Sequence, residues 1–463
     1  MKTKLSFFKK YKIILLIMTL FLIFKLSLLF TYHDTRWDES VYMGMGKYIY
    51  SNGQIGLWED IRPIVLPLIL GLFWKLGLNI IKFTELFSVF IAAFYILFIY
   101  LISLKLFNKK IAIISSIIVA ITPVFLDFSS YGLTGILSTL FALISLFFFI
   151  EKKYFLSGIY AGLSFLTRFP QGIIIFTIGL LILIKYKRIS KEIIKFGIGT
   201  FIPVSLFFLF SLYKYGNPLH TLINASIHQN NLVYSVVNGS LKSYIYHYFY
   251  YLIEGFKNNL LLIFSLIGIF SKNKSNKSIL FILSFYFAYF SLIYNKQLRF
   301  FIVMLPYFVI LCAIGIKKIL DYKKMKKYSL IIFTIIIVGI MIFNTGQYIA
   351  RWQNSDKIDE FYNYFSNNHV FGPVLSINPI PVAHSDILLI PYYENLDVAI
   401  NTYDSIGQEF STIIFTSEFY PCFDADCNIK KEILFNNINS THELIFYLDH
   451  YQEYYIFSKN VNS

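Results

Sequence analysis

The sequence predicts an α-helical polytopic membrane protein with a small α/β domain outside the membrane at its C-terminal end, on three observations. Of 463 residues, 57% are hydrophobic and 14% charged, far from the balance of a soluble chain. Apolar runs such as Ile13 to Leu29, Leu86 to Leu104 and Leu330 to Ile342 suit spans, which need roughly 20 apolar residues to cross about 30 Å of hydrocarbon. Beyond residue 345 the runs shorten to strand length, and Pro373, Pro379, Pro381, Pro391 and Pro421 punctuate them.

In chain order the spans read 13–32, 83–104, 111–130, 133–150, 155–167, 171–184, 196–213, 258–270, 279–294, 301–316 and 328–345, eleven in all. The first is no cleaved signal peptide, because its apolar stretch is too long and no small-residue cleavage site follows. A net charge of +15 raises nucleic acid as a partner, but the basic residues sit in short clusters at the ends of apolar runs, which is a topology signal. Six clusters, Lys2 to Lys12, Lys105 to Lys110, Lys152 and Lys153, Lys185 to Lys195, Lys272 to Lys277 and Lys317 to Lys327, hold more than half of the 41 Lys and Arg. An odd number of crossings puts all six inside, with the N-terminus in and the C-terminus out. Phe155 to Ile184 is read as two short helices meeting at Arg168-Phe169-Pro170, because one long span would send the three later clusters outside.

That reading assigns residues 1–345 to a transmembrane domain, with outer loops at 33–82 and 214–257, and 346–463 to an extracytoplasmic domain. In the tail, Val370 to Ile377, Thr412 to Thr416, Leu444 to Leu448 and Tyr454 to Ile456 read as strands, and Ile358 to Phe365 and Ile429 to Asn437 as helices. About 115 residues can bury a core of their own. Cys422 and Cys427, in Pro-Cys-Phe-Asp-Ala-Asp-Cys, lie where disulfides persist. They are candidates for a local bridge, two unpaired thiols being the rival reading. Cys312, within a span, reads as inert packing. A metal site there would need two further ligands beyond the cysteines, and His442 alone is too few.

The loop 33–82 carries the residues best suited to chemistry. Asp38 and Glu39 follow Trp37 directly after the first span, and Val41, Tyr42, Met45, Tyr48 and Ile49 suggest a short amphipathic helix along the interface. Further on, Leu57-Trp58-Glu59-Asp60-Ile61-Arg62-Pro63 sets a guanidinium beside two acids. An arginine of fixed geometry suits a phosphate, because its planar fork offers two parallel charged hydrogen bonds. The competing reading makes Asp38 and Glu39 solvated loop acids, with Arg62 paired to Glu59 or touching lipid headgroups.

Several pieces taken in order carry a resemblance: the Asp-Glu pair after the first span, Arg62-Pro63, the Gly-rich Gly158 to Arg168 segment, Arg299-Phe300-Phe301 through Pro306, and a soluble outer tail. Over residues 1–345 the chain resembles the GT-C glycosyltransferases, in particular the protein O-mannosyltransferase and lipid A aminoarabinose transferase group. The resemblance implies transfer of a sugar from a polyprenyl (dolichyl-type) phosphate donor at the outer leaflet to an acceptor on a protein, lipid or glycan. It implies that Asp38, the first acid of the Asp-Glu pair, is the catalytic carboxylate, with Glu39 beside it. It also implies that Arg62, Arg168 and Arg299 contact the donor phosphate. Relatives often carry an Asp entering the fourth span, where this chain has Gly135; Asp127 lies nearby as a substitute, and Glu59 and Asp60 stand as further secondary acids. No cofactor is required by these motifs, and a divalent metal, though compatible with the chemistry, has no ligand set to support it.

The chemistry fits those roles. Displacing a sugar from a lipid phosphate takes a proton from a hydroxyl and puts negative charge on the leaving group. One carboxylate and fixed cations suffice. A double displacement would need a second carboxylate, yet on a helix Glu39 points about 100° away from Asp38, so inversion is expected. A non-catalytic transporter or flippase of lipid-linked glycans is the alternative, but it would bury paired charges at the bilayer midplane. The isolated histidines His220, His228 and His384 read as structural. The run Tyr244 to Tyr251 reads as an interfacial aromatic belt, with carbohydrate stacking as the lesser reading. Lys25 reads as snorkelling outward from the first span, with assistance to the lipid phosphate as its rival role.

Overall fold

A computed structural model describes residues 2–29, 35–234, 241–271, 274–293, 296–321, 359–368, 372–391, 396–417, 426–449 and 453–459, with isolated positions 339, 343 and 346. The chain forms two compact units: Met1–Thr31 with Glu85–Gln353, and Tyr32–Thr84 with Asn354–Ser463. The helices up to residue 320 are α1 (Lys2–Leu28), α2 (Trp37–Tyr50), α3 (Val65–Lys75), α4 (Ile80–Leu106), α5 (Lys109–Ala120), α6 (Pro123–Phe128), α7 (Thr134–Ile150), α8 (Tyr154–Thr167), α9 (Gly172–Tyr186), α10 (Lys191–Tyr215), α11 (His220–Tyr234), α12 (Leu241–Asn258), α13 (Ser265–Ile269), α14 (Lys274–Leu292) and α15 (Phe301–Leu320).

The first unit is helical, and its helices fall on the predicted apolar runs. Among the described residues five segments are long and apolar enough to cross a membrane: Tyr11–Leu28, Ile80–Leu106, Phe169–Tyr186, Lys191–Tyr215 and Leu298–Leu320. A sixth counts if Tyr246–Asn258 and Leu260–Ile269, bent by 117°, form one broken span. The protein is therefore multi-pass, with five or six full-length spans among the described residues where eleven were expected along the whole chain. The run 111–130 splits into α5 and α6 at Pro123, whose missing N–H and fixed φ suit the first position of a new helix. The runs 133–150 and 155–167 are shorter helices, and 258–270 is an arm of the bent pair. The expected span 328–345 falls almost wholly outside the described residues. Loop 214–257 contains α11 and most of α12 rather than irregular chain.

The turn at Arg168 is as expected. Arg168 is extended (φ −159°, ψ 112°) and ends α8, and the Tyr154 and Tyr186 hydroxyls meet at 3.1 Å, so α8 and α9 run back along each other. In the Gly-rich segment Gly158 serves packing: a Cβ there would stand 2.1 Å from the Phe196 carbonyl oxygen, the close helix approach that small residues allow in membranes. Basic clusters gather at one end of the unit. Lys105 pairs with Glu151 at 2.6 Å, Lys185 donates to the Tyr154 hydroxyl at 3.2 Å, and Asp321 pairs with Lys317 and lies within electrostatic range of Lys110.

The second unit holds a mixed five-stranded sheet of order β2-β1-β3-β5-β4, from β1 (Val374–Ser376), β2 (Leu389–Pro391), β3 (Thr412–Thr416), β4 (Glu443–Asp449) and β5 (Glu453–Ser458). Strand β1 pairs in parallel with β2 and β3, and β5 pairs antiparallel with β3 and β4. The expected α/β tail is present, with the helices now bounded as Asp359–Asn367, Pro381–His384, Leu396–Ile406 and Cys427–Thr441. One face of the sheet packs on Ala399, Tyr403, Leu434 and Ile438. Its other face receives the first loop: Val41, Met45 and Leu57 join Phe361, Val374, Val382 and Ile456 in one core.

That packing corrects the expectation for α2. It is helical, but its apolar face is covered by protein, because every residue from Glu39 to Lys47 is buried. Two glycine pairs permit this. A Cβ on Gly46 would stand 2.6 Å from the Gly71 backbone nitrogen, so α2 and α3 touch backbone to backbone. Gly56, at φ +102°, has no room for a side chain beneath the Gly44 carbonyl. Its backbone donates to Ile387 and accepts from Leu389, both at 2.8 Å, so the loop extends the sheet beside β2.

Candidate functional site

In the second unit three of the predicted site residues converge. Asp38 lies in the first turn of α2, where the helix dipole favours an acid. Arg62 lies in the turn before α3. Its Nη1 meets Asp38 Oδ1 at 2.9 Å and its Nε meets Glu59 Oε2 at 2.6 Å, with Asp38 13%, Arg62 21% and Glu59 8% exposed. The guanidinium also stands 5.7 Å from the Tyr42 ring centroid. Burial disfavours its charge, but Asp38 first and Glu59 second outweigh that and hold its pKa well above the ordinary arginine value. The Arg62–Glu59 pair that competed with the phosphate reading is thus present, and the same guanidinium holds Asp38 as well. Asp60 is part-exposed in the same turn.

Glu39 takes a different part from its neighbour. Its Oε2 accepts the Arg36 backbone N–H at 3.3 Å, and the residue is 1% exposed. This is half of the reciprocal arrangement that closes helix N-termini.

In the first unit the remaining predicted cations come together on one ring. Arg168 Cζ stands 4.5 Å and Arg299 Cζ 5.4 Å from the centroid of Phe300. Nearby, Lys296 donates to the Phe290 and Ser291 carbonyls at 2.6 and 2.8 Å, closing the end of α14, and lies 5.3 Å from the Tyr251 ring. Tyr251 is buried, whereas Tyr246, Tyr248 and Phe249 are exposed, so the aromatic run of α12 is uncovered on only part of its circumference. Gly135, where relatives carry an acid, has Arg168 Nη1 within 3.4 Å of the position a Cβ would take. Lys25 does not snorkel. It is fully buried and donates to the Leu126 carbonyl at 2.8 Å, with Asp127 and Glu85 close enough to compensate its charge. Asp127 is therefore an electrostatic neighbour of that lysine.

Two histidines have defined partners. His220 stacks on Tyr215 and meets Asn224 at 3.0 Å; His442 is buried against the Phe410 carbonyl. Cys427, buried at the head of its helix, is disulfide-bonded, which goes against the reading of two unpaired thiols; Cys422 lies outside the described residues. Cys312 is buried in α15, its thiol donating to the Leu261 carbonyl. Among the described residues no group of three or more His, Cys, Asp or Glu is placed to hold a metal.

Sequence reasoning missed a cluster opposite the far end of α2. Lys47 Nζ, in a residue 2% exposed, donates to the Ser385 carbonyl and to Asp386 Oδ1, both at 2.9 Å. Trp74 Nε1 of α3 donates to the same Asp386 oxygen at 3.0 Å. Burial lowers the Lys47 pKa and Asp386 opposes the shift. His384 Nε2 meets the Thr35 hydroxyl at 3.0 Å, and the ring stacks on Tyr362 at 4.2 Å. A lysine in a last helical turn is ordinary, and its partner is more than 300 residues away, so no local signal marks the pair.

His384 makes one expected result. Burial first, and Lys47 second, push its pKa from 6.5 down to about 4. The unfolded chain therefore takes up the proton first as pH falls, and stability should decline between about pH 6.5 and pH 4, by at most about 3 kcal/mol. Thermal melting across that range should give a shallower slope for His384→Gln than for the native protein. An identical slope would remove His384 as the cause.

The chain joins a multi-span helical unit to a second unit in which the loop after the first span closes on an α/β sheet, and its fold is that of GT-C structures. Residues 61–212 match the family described as dolichyl-phosphate-mannose-protein mannosyltransferase, a stretch that includes Arg62 and Arg168. The fold is shared with ArnT from Cupriavidus metallidurans solved with undecaprenyl phosphate: TM-score 0.67, 10% identity, covering 97% of this chain and 98% of that one. It is also shared with the oligosaccharyltransferase AglB from Archaeoglobus fulgidus, solved with an inhibitory peptide and a dolichol-phosphate: TM-score 0.55, 12% identity, 98% and 75% covered. A third is the mycobacterial arabinofuranosyltransferase AftD, with TM-score 0.54, 9% identity, and 97% and 41% covered. Among curated proteins none matches this sequence.

Proposed function

We propose that this protein is a membrane glycosyltransferase that moves a sugar from a polyprenyl-phosphate donor to an acceptor hydroxyl at the outer face, with inversion. The observation that carries the reading is Asp38, held at 2.9 Å by an arginine that Glu59 also grips. Support comes from the matched family segment and from two fold neighbours solved with polyprenyl phosphates.

In the proposed reaction the acceptor hydroxyl gives its proton to the Asp38 carboxylate as its oxygen attacks the anomeric carbon. The bond from that carbon to the phosphate oxygen breaks, its electron pair leaving with the polyprenyl phosphate. A guanidinium has five N–H donors; two engage Asp38 and Glu59, which leaves others for phosphate oxygens. Fixed before the reaction, it stabilises the leaving anion without reorganising. Arg168 and Arg299, sharing Phe300, are likewise proposed as donor-phosphate cations. Glu39, turned onto the Arg36 amide, is not offered to the anomeric carbon as a nucleophile, which favours a single displacement.

The test is transfer by the purified protein in lipid, supplied with a panel of radiolabelled polyprenyl-phosphate sugars. The expected product carries the sugar in the anomeric configuration opposite to the donor's, read by NMR. Retained configuration would overturn the mechanism. Movement of the lipid-linked sugar between leaflets without transfer would overturn the function.

A further inference from the structure

We infer that Lys47 is a positioning residue for Asp38, and that the tail segment His384–Asp386 holds the Asp38 helix at both of its ends. The inference rests on the reading of Asp38 as the base and adds a role for the tail that this reading leaves open.

Asp38 and Lys47 are nine residues apart on one helix, about 13 Å along its axis, so a rigid α2 transmits any shift at one end to the other. Three consecutive tail residues meet it. His384 takes the Thr35 hydroxyl, two residues before the helix begins, while Ser385 and Asp386 take the Lys47 ammonium in its last turn. Between them Val382 packs so close to α2 that a Cβ on Gly44 would stand 2.7 Å from its Cγ1. Asp386 also receives Trp74 of α3, so a single carboxylate gathers the two helices that flank the Glu59–Arg62 turn.

The choice of a lysine is itself informative. Burying an ammonium is costly, and an apolar chain of the same shape would fill the slot without that cost. What a methionine cannot do is fix the register of α2 against one carbonyl and one carboxylate. A base displaced by about 1 Å can lose on the order of 10²-fold in rate while the donor still binds. Lys47, buried and held by the Ser385 carbonyl and the more exposed Asp386 carboxylate, therefore sets where the Asp38 carboxylate stands.

The experiment compares Lys47→Met, Asp386→Asn and Asp38→Asn in the full-length protein. Turnover is expressed per donor-binding site, counted by titration with labelled polyprenyl phosphate, so misfolded molecules drop out. Lys47→Met is expected to lower kcat at least tenfold with donor KM within twofold of native. Asp386→Asn, which keeps shape and the Trp74 acceptor, is expected to fall in the same direction by less. Native kcat per site in either variant overturns the inference, and a loss confined to donor KM does so too. If Lys47→Met fails to fold, Asp386→Asn decides. Should Asp38→Asn keep native turnover, the functional reading falls first and takes this inference with it; Asp38→Asn inactive with both other variants native removes the inference alone.

Discussion

Asp38→Asn is expected to reduce transfer by about 10²–10⁴-fold, the usual contribution of a positioned general base. The folded protein and its donor affinity should stay close to native. The amide oxygen of the substituted side chain can still accept from Arg62, so the ion pair becomes a hydrogen bond of the same geometry and the turn before α3 is not released. What is lost is the ability to take a proton from the acceptor. Glu39→Gln is the informative companion. Its amide oxygen can still accept the Arg36 N–H, so turnover should remain near native although the two acids are adjacent. If Glu39→Gln is inactive and Asp38→Asn active, the assignment of the base is reversed. If both are active, neither acid is the base. The readout is kcat and donor KM with one labelled donor, because a general base acts on kcat whereas a binding group would act mainly on KM.

The contrast between these adjacent acids shows where sequence reasoning was strong and where it failed. A carboxylate pair after an apolar run, with Arg-Pro later in the same loop, is visible in one dimension, and Asp38, Glu59 and Arg62 indeed meet. So is the break at Arg168, because charge at the ends of apolar runs constrains where the chain can turn. The tail's β3 appears over the same Thr412–Thr416 that composition marked, since five consecutive buried β-formers have few other uses. Burial by distant partners could not be read. The amphipathic pattern of α2 looked interfacial because its apolar face has no sequence neighbour; its cover is Val382, Phe361 and the sheet. Lys25 looked like a snorkelling lysine because Glu85 and Asp127, which compensate it, are 60 and 102 residues away. Apolar periodicity likewise marked helices well but not their lengths, so a Pro-broken run such as 111–130 passed for one span.

Arg62→Lys is expected to keep the fold and lower kcat/KM by about 10–100-fold, the worth of one charged hydrogen bond of roughly 1.5–3 kcal/mol. A lysine carries the charge as a point and cannot reach Asp38 and Glu59 in the forked geometry that Nη1 and Nε now satisfy. The loss should appear in donor KM as well as kcat, because the proposed arginine both holds the base and meets the phosphate. Arg62→Ala goes further. It strands two carboxylates, 13% and 8% exposed, in one crevice. Removing one partner of a buried pair costs about 3–5 kcal/mol, and partial exposure puts this site near the lower figure. A drop of about 6–12 °C in melting temperature is then expected for a unit of this size, and Arg62→Ala with Glu59→Gln should recover part of it by deleting one stranded charge. A native melting point in Arg62→Ala would mean that the acids do not depend on the guanidinium. Native kcat/KM in Arg62→Lys would mean that charge alone suffices, and the forked geometry would then lose its proposed part in catalysis.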